Sequence, residues 1–455
     1  MKPMGEDLNS NKSMLQRIFL GLSSFQILAM FRRGLFYTYL SLYLRVYLEL
    51  SVTATTLFAT IPMILSVLAQ NFVWGPLTDK IQKRRIFIVI GELSAGFGII
   101  IVWGIHNLFT NLQYAGYFVI IGLSIIEFFW SMSNISWSAL VSDIYPPKRR
   151  SKIMGRLNSL GGIGQIAGVL IGGIFYDGNG LKYDGYGFKE GPLFFIAAAI
   201  MITSIFPILF LVPEGGATRS WNDPEIINNL SSEESKNSPE FSYIVFLSYI
   251  VALFIINAGR NSMAIPFSQY MILESGFEVD PFTLGLISNT RGIAIILIGL
   301  IAGKLTSKIG LRKILVISSF FAVIYLTIIA LTSSLVLIYV GRFIWGAAEV
   351  LIMTSSYALA SFLIPQERRG QLFGLYNATF FLSWGIGSTL VIGPIIDRLI
   401  IDGIPENDAY KFGFIIAAII TLFGILMLFF AIYIERKRVK NHGEQKENIP
   451  EKLQD

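Results

Sequence analysis

The chain has 455 residues, no cysteine, two histidines and a formal net charge of +6, with 53% hydrophobic and 15% charged residues and a mean hydropathy of +0.62. So apolar a composition over that length excludes a single soluble domain. The missing thiols exclude disulfides and thiolate metal sites, and His106 and His442 alone leave little for a zinc site or a His-based triad.

Apolar stretches of about 20 residues without period-two alternation read as membrane helices rather than barrel strands. Twelve are predicted in chain order, at 15–44, 54–74, 86–106, 114–141, 152–176, 191–212, 242–273, 282–303, 314–333, 335–363, 371–400 and 410–434. The first is long and lacks a small-residue cleavage pattern, so it reads as a retained helix. Basic residues gather in loops that twelve spans place on one side: Lys80, Lys83, Arg84 and Arg85; Lys148, Arg149, Arg150 and Lys152; Lys304, Lys308, Arg312 and Lys313; Arg436, Lys437, Arg438 and Lys440. The opposite loops are thinly charged or acidic, as at Glu274, Glu278 and Asp280. This asymmetry predicts a multi-pass protein of the cell membrane with both termini cytoplasmic, and it accounts for the positive charge without a nucleic-acid partner. A polar stretch containing SSEESKNSPE interrupts the apolar pattern. The expected division is a six-helix unit at 1–212, a cytoplasmic linker at 213–240, a second six-helix unit at 241–439 and a disordered tail at 440–455.

The chain repeats itself. GPLTDKIQKRR from Gly75 returns as GKLTSKIGLRK from Gly303, and PPKRRSKIMGRLN from Pro146 returns as PQERRGQLFGLYN from Pro365. Arg33 and Tyr43 on the first span pair with Arg260 and Tyr270 on the seventh, both at the same offset. Six helices duplicated in parallel is the plan that fits.

With those residues in hand, the chain resembles the major facilitator superfamily of secondary transporters over nearly its whole length. The family's loop signature GxLaDrxGrk between helices 2 and 3 is matched by Gly75, Leu77, Asp79, Lys80, Arg84 and Arg85, with Gln82 in place of the central glycine. In the second copy Gly303, Gly310 and Arg312 are kept and Ser307 replaces the acid. The resemblance implies an all-α integral membrane fold of two pseudo-symmetric six-helix bundles. It also implies a gating role for Gly75, Asp79, Lys80, Arg84, Gly303 and Arg312, with Asp143 in the same charge network. On the fifth span, GIGQIAGVLIGG resembles the family's antiporter signature through Gly164, Gly168 and Gly172, although Val169 stands where the proline would be. Small residues at helical spacing independently predict close helix packing there. Gly341, Arg342 and Gly346 are similar to the RxxxG motif of proton-coupled members.

A charge at mid-bilayer costs about 2.5–3.5 kcal/mol on insertion scales, so each needs a reason. Arg33 and Arg260 lie near the middle of helices 1 and 7, Glu127 and Glu349 near the middle of helices 4 and 10, and Arg291 near the centre of helix 8. Arg33 shares a face with Gln26 and Tyr37, while Arg260 has Asn257 one turn away. In the resemblance, helices 1, 4, 7 and 10 line a central cavity, so these residues are expected to face one another. Two readings stay open. The arginines, Gln26, Tyr37 and Asn257 bind an anionic substrate while Glu127 and Glu349 carry protons, or the charges only pair with each other. Arg32 is expected to point elsewhere, about 100° around the helix, and Glu92 to be structural. Trp130, Trp345 and Trp384 lie within helices and are expected to pack.

The expected protein is therefore no enzyme and needs no metal or cofactor. It would be a monomer moving a small organic solute by alternating access, coupled to protons. A multidrug-type exporter and a non-transporting membrane sensor of the same fold are the alternatives. GLIAGKL at Gly299 lacks the spacing of a nucleotide-binding loop.

Overall fold

A backbone inside lipid must satisfy its own N–H and C=O groups, and the apolar stretches of this chain do so as helices. The computed structural model describes residues 4–145, 147–178, 183–215, 242–364 and 369–447. Twelve helices in it are long and apolar enough to cross a bilayer: α1 (Ser13–Tyr47), α2 (Val52–Ile81), α3 (Arg84–His106), α4 (Leu112–Ile144), α5 (Ile153–Tyr176), α6 (Pro192–Leu211), α7 (Tyr243–Ile272), α8 (Pro281–Ile309), α9 (Leu311–Leu331), α10 (Leu335–Leu363), α11 (Gly374–Ile401) and α12 (Glu406–Arg438).

The duplication shows in the packing. In the first half α1 packs on α5 and α6, α3 on α4 and α6, and α2 on α4; in the second, α7 packs on α11 and α12, α9 on α10 and α12, and α8 on α10. Each contact recurs six helices later, so the molecule is two six-helix bundles related by a pseudo-twofold axis. Across the interface α2 meets α11 and α5 meets α8, pairs that the same axis exchanges. Ser41 and Ser268, separated along the chain by the same offset as Arg33 and Arg260, touch each other through their hydroxyls at 2.7 Å. Equivalent residues in contact lie on the axis itself.

Several boundaries differ from the sequence expectation. Helices α2 and α8 run on to Ile81 and Ile309, so the repeated motif is helical and not a loop. The turn comes one residue later in each copy, at Gln82 (φ 60°) and Gly310 (φ 100°). That left-handed position explains the glycine of the signature, and Gln82 carries the usual cost of a side chain there. The last helix continues to Glu447, beyond the predicted 434 and into the stretch expected to be a disordered tail. Lys, Arg, Glu and Gln there are good helix formers, and the next proline is Pro450. Most of the 213–240 linker and residues 448–455 lie outside the described residues.

Helix α5 fits against α1 at the three glycines singled out above. A Cβ on Gly164, Gly168 or Gly172 would stand 2.3, 2.0 or 2.6 Å from the carbonyl oxygens of Ile27, Phe31 and Leu35. Backbone approach that close requires glycine, and it fixes the rotation of α1.

Candidate functional site

The charged residues of the helix centres fall into two clusters, one per half. In the first, Arg32 is 4% exposed and lies over the Trp130 ring at 5.1 Å from its centroid. Arg32, Arg33 and the Ser66 hydroxyl surround Glu127. Glu92, buried at 2%, accepts hydrogen bonds from Trp130 Nε1 at 3.0 Å and Ser133 Oγ at 2.7 Å. Tyr37 has Arg32, Arg33 and Glu127 for neighbours, while Gln26 lies against Gly161 of α5. The expectation for the two adjacent arginines is corrected here. Arg32 is the buried one, and Arg33 is exposed, although it stays beside Glu127. The close α1–α5 contact sets this rotation, with Gly34 of α1 facing the Gln165 carbonyl. Trp130 three residues after Glu127 on α4, a carboxylate and an aromatic face one turn apart, was the overlooked signal for Arg32.

In the second half, Glu349 pairs with Arg291 and not with Arg260. Arg291 Nε donates to Oε2 and its Nη2 to Oε1, both at 2.7 Å, a bidentate fork. Arg260 is 2% exposed, and its Nε donates to Asn257 Oδ1 at 2.8 Å. Arg342, 5% exposed, lies 4.3 Å from the Phe267 centroid and 4.4 Å from that of Trp345; Arg291 approaches the same Trp345 ring at 4.6 Å. Tyr325 stacks on Trp345 with centroids 5.1 Å apart. Arg342, Trp345 and Glu349 are spaced to share one face of α10, which is how the helix presents cation, ring and carboxylate together. Arg342 entered the sequence reading only through its motif.

The two ends of the molecule are built differently. Around residues 39–60 and 265–281 the halves are joined by many hydrogen bonds. Asp397 of α11 accepts from the backbone N–H groups of Val52 and Thr53, both at 2.8 Å, capping the N-terminus of α2 across the interface. Arg45 pairs with Glu406 at 2.7 Å, Gln269 donates to Thr55 Oγ1 at 2.8 Å, and Thr389 bonds both Thr56 and Thr60. Tyr39 donates to the Val169 and Pro281 carbonyls, and Tyr183 to that of Val279. This is the sealed end.

At the opposite, basic end the named contacts lie within one half. Arg84 bridges Asp79 at 2.9 Å and Asp143 at 3.4 Å, with the Asp79 side chain 72% exposed, and Arg85 pairs with Glu214. Arg312 pairs with Glu435 in the second half. Lys80 is exposed. A Cβ on Gly75 would stand 2.5 Å from the Gln70 carbonyl oxygen, whereas one on Gly303 meets nothing within 4 Å. Lys148, Arg149, Arg150 and Lys152 have side chains outside the described residues.

Among the described residues no group of three or more His, Cys, Asp or Glu side chains could hold a metal ion. His106 is buried and bonds Tyr43 through Nε2 at 2.9 Å.

Known proteins place this geometry. The chain is 25% identical over 367 residues to the multidrug resistance protein MdtG of Escherichia coli, covering 80% of this chain and 81% of that one. Its fold matches that of the nucleoside transporter NupG with a TM-score of 0.69 at 14% identity, covering 91% of this chain and 99% of that one. It matches tetrameric PepTSo2 with a TM-score of 0.70 at 13% identity, covering 93% and 99%. The model of the Major Facilitator Superfamily matches residues 22–387 and 250–454. Twelve apolar helices in two paired bundles and that match together show that this chain belongs to the major facilitator superfamily of transporters, not to an enzyme family.

Proposed function

We propose that this transporter moves a small organic solute across the cytoplasmic membrane by alternating access, coupled to protons and selecting for negative charge. One observation carries the reading: buried, oppositely charged side chains stand at mid-depth in both halves, between a sealed end and an end whose ion pairs, among the described residues, stay within each half. Positive-inside bias supports a cytoplasmic location for the basic end, and with it for both termini. Arg33, Asn134, Asn158 and Asn377 are exposed on membrane helices, which lipid would penalise and a water-filled opening would not. The conformation is accordingly read as open to the cytoplasm and closed outside. Glu127 and Glu349 are the carboxylates that take up and release the proton, since each faces a cation whose hold loosens when the acid is neutral. Asp79 and Arg84 serve the cytoplasmic gate, and Asp397 and Arg45 the outer one.

A second reading, export of amphipathic drugs, is favoured by the likeness to MdtG. Uptake into proteoliposomes decides between them. An inward-directed proton gradient should accelerate accumulation of a small organic anion, and a protonophore should abolish it. Accumulation of a lipophilic cation with no anion uptake would replace the first reading by the second.

A further inference from the structure

Five side chains around Glu349 carry six buried polar atoms with no hydrogen-bond partner: Arg260 Nη1, Asn257 Nδ2, Arg342 Nε and Nη1, Trp345 Nε1 and Tyr325 Oη. All six are donors, and only the tyrosine hydroxyl can also accept. They belong to one cluster. Trp345 touches Arg342, Arg291 and Tyr325, and Arg260 lies within electrostatic reach of Glu349, Arg291 and Tyr325. The aromatic rings under Arg342 attract its charge but offer its N–H groups no lone pair. Glu349 has already given both oxygens to Arg291.

The charge count is equally one-sided. Three guanidinium groups, which stay protonated, share a single carboxylate, leaving two positive charges in a place where burial makes unpaired charge costly. The first half holds no such surplus, since Arg32 and Arg33 face Glu92 and Glu127, and Glu92 is hydrogen-bonded by Trp130 and Ser133. Water at the second cluster would supply acceptors without charge. An oxyanion supplies both.

The cluster is graded in burial. Arg260 and Arg342 are 2% and 5% exposed, whereas the side chains of Arg291 and Glu349 are 28% and 16% exposed. The ion pair is the outer face of the cluster, and the unpartnered donors lie behind it.

We infer that the Arg260–Arg291–Arg342 cluster is the recognition subsite for an organic dianion, a dicarboxylate or a phosphate monoester, which enters by displacing Glu349 from Arg291. The inference rests on the transporter reading above and adds to it the substrate's charge and the half that reads it. A proton accepted by the displaced Glu349 carboxylate leaves Arg291 free for the incoming oxyanion, so binding of the dianion draws in a proton.

Thermal unfolding of the full-length protein in detergent, at constant ionic strength, tests this with succinate, monomethyl succinate, glycerol phosphate, inorganic phosphate and tetraphenylphosphonium as probes. Succinate or glycerol phosphate should stabilise the protein at concentrations at least tenfold lower than monomethyl succinate, and the stronger of the two identifies carboxylate or phosphate as the preferred group. Arg260→Lys and Arg342→Gln should each weaken that stabilisation at least tenfold, and Glu349→Gln should strengthen stabilisation by inorganic phosphate. Should one arginine variant fail to fold, the other and Glu349→Gln still decide. Equal responses in wild type and variants, or stabilisation by tetraphenylphosphonium alone, would overturn the inference. Dianion binding without gradient-driven uptake would support the subsite and refute proton coupling, so the two failures are distinguishable.

Discussion

The two halves share a packing plan contact for contact, yet their central clusters have diverged to opposite chemical conditions. The first holds two acids against two arginines, with Glu92 hydrogen-bonded to its neighbours; the second holds three arginines against one acid, with six buried polar atoms unpartnered. The repeats show how far the change went. The offset of the Gly75 motif carries Met63 onto Arg291, and that of the Pro146 motif carries Leu123 onto Arg342 and Trp130 onto Glu349. Of the central charges only Arg33 and Arg260 occupy equivalent positions. The packing of the scaffold is kept in both halves while the side chains at its centre have diverged, and the proposed function puts a proton-carrying acid in each half and the recognition of negative charge in the second alone.

The sharpest way to break that contrast is to neutralise one acid in each half. Glu349→Gln strips from three arginines the one counter-charge that the described residues give them and should lower unfolding stability by about 3 kcal/mol, the lower end for a broken buried pair because Arg291 is partly exposed. Glu127→Gln should cost about 1 kcal/mol, since Arg32 keeps its contact with Trp130. Equal losses in denaturation of the two variants would erase the asymmetry.

The duplicated motif offers a second contrast. Gly75→Ala drives a methyl group against the Gln70 carbonyl and should cost about 1–3 kcal/mol, whereas Gly303→Ala enters open space and should change stability by less than about 0.5 kcal/mol. Thermal unfolding of the pair measures both.

The ends can be compared in the same way. Gly75-Pro76 with Asp79 on α2 and Gly393-Pro394 with Asp397 on α11 are the same arrangement, each following a stretch of π-helix. Asp397 is engaged across the interface, whereas among the described residues Asp79 pairs with Arg84 of its own half. Asp397→Asn removes the charge from two bonds to a helix N-terminus and should cost the sealed end about 1–2 kcal/mol. The chain has no cysteine, so spin labels at Glu49→Cys and Asp402→Cys report the opening directly, and Asp397→Asn should enlarge the long-distance population roughly tenfold.

The smallest effect lies at the outer loops. Asp177, just past α5, has its carboxyl pushed up to about 6 by burial, with Asp184 and Asp280 adding to the rise against hydrogen bonds from the Tyr183 and Asp184 backbone. Its protonated form is the one the fold favours. Stability from this group is present below its ordinary value of 3.8 and declines as pH rises to about 6. Asp177→Asn should flatten a shallow fall in melting temperature over that window, and an unchanged slope would remove Asp177 as its source.

Much of this was legible in the chain. Hydropathy gave twelve helices, the repeated motifs gave the duplication, and Arg260, Arg291, Glu127 and Glu349 were recognisable as charges needing partners. Which partner each takes was not, because that depends on helix rotation. The clash-limited contact of Gly164, Gly168 and Gly172 with α1 turns Arg32 inward, and the shared face of α10 brings Arg342 beside Trp345. The repeat gave no guide to the pairing either, because Arg291, which takes Glu349, has only Met63 as its counterpart.

The division of tasks between the halves is tested most directly by comparing solute exchange with pH-driven accumulation in proteoliposomes. Glu127→Gln should keep dianion exchange near the wild-type rate and lose accumulation driven by a proton gradient, while Arg260→Lys should lose both, with KM raised at least tenfold. Loss of exchange in Glu127→Gln together with normal exchange in Arg260→Lys would contradict the account.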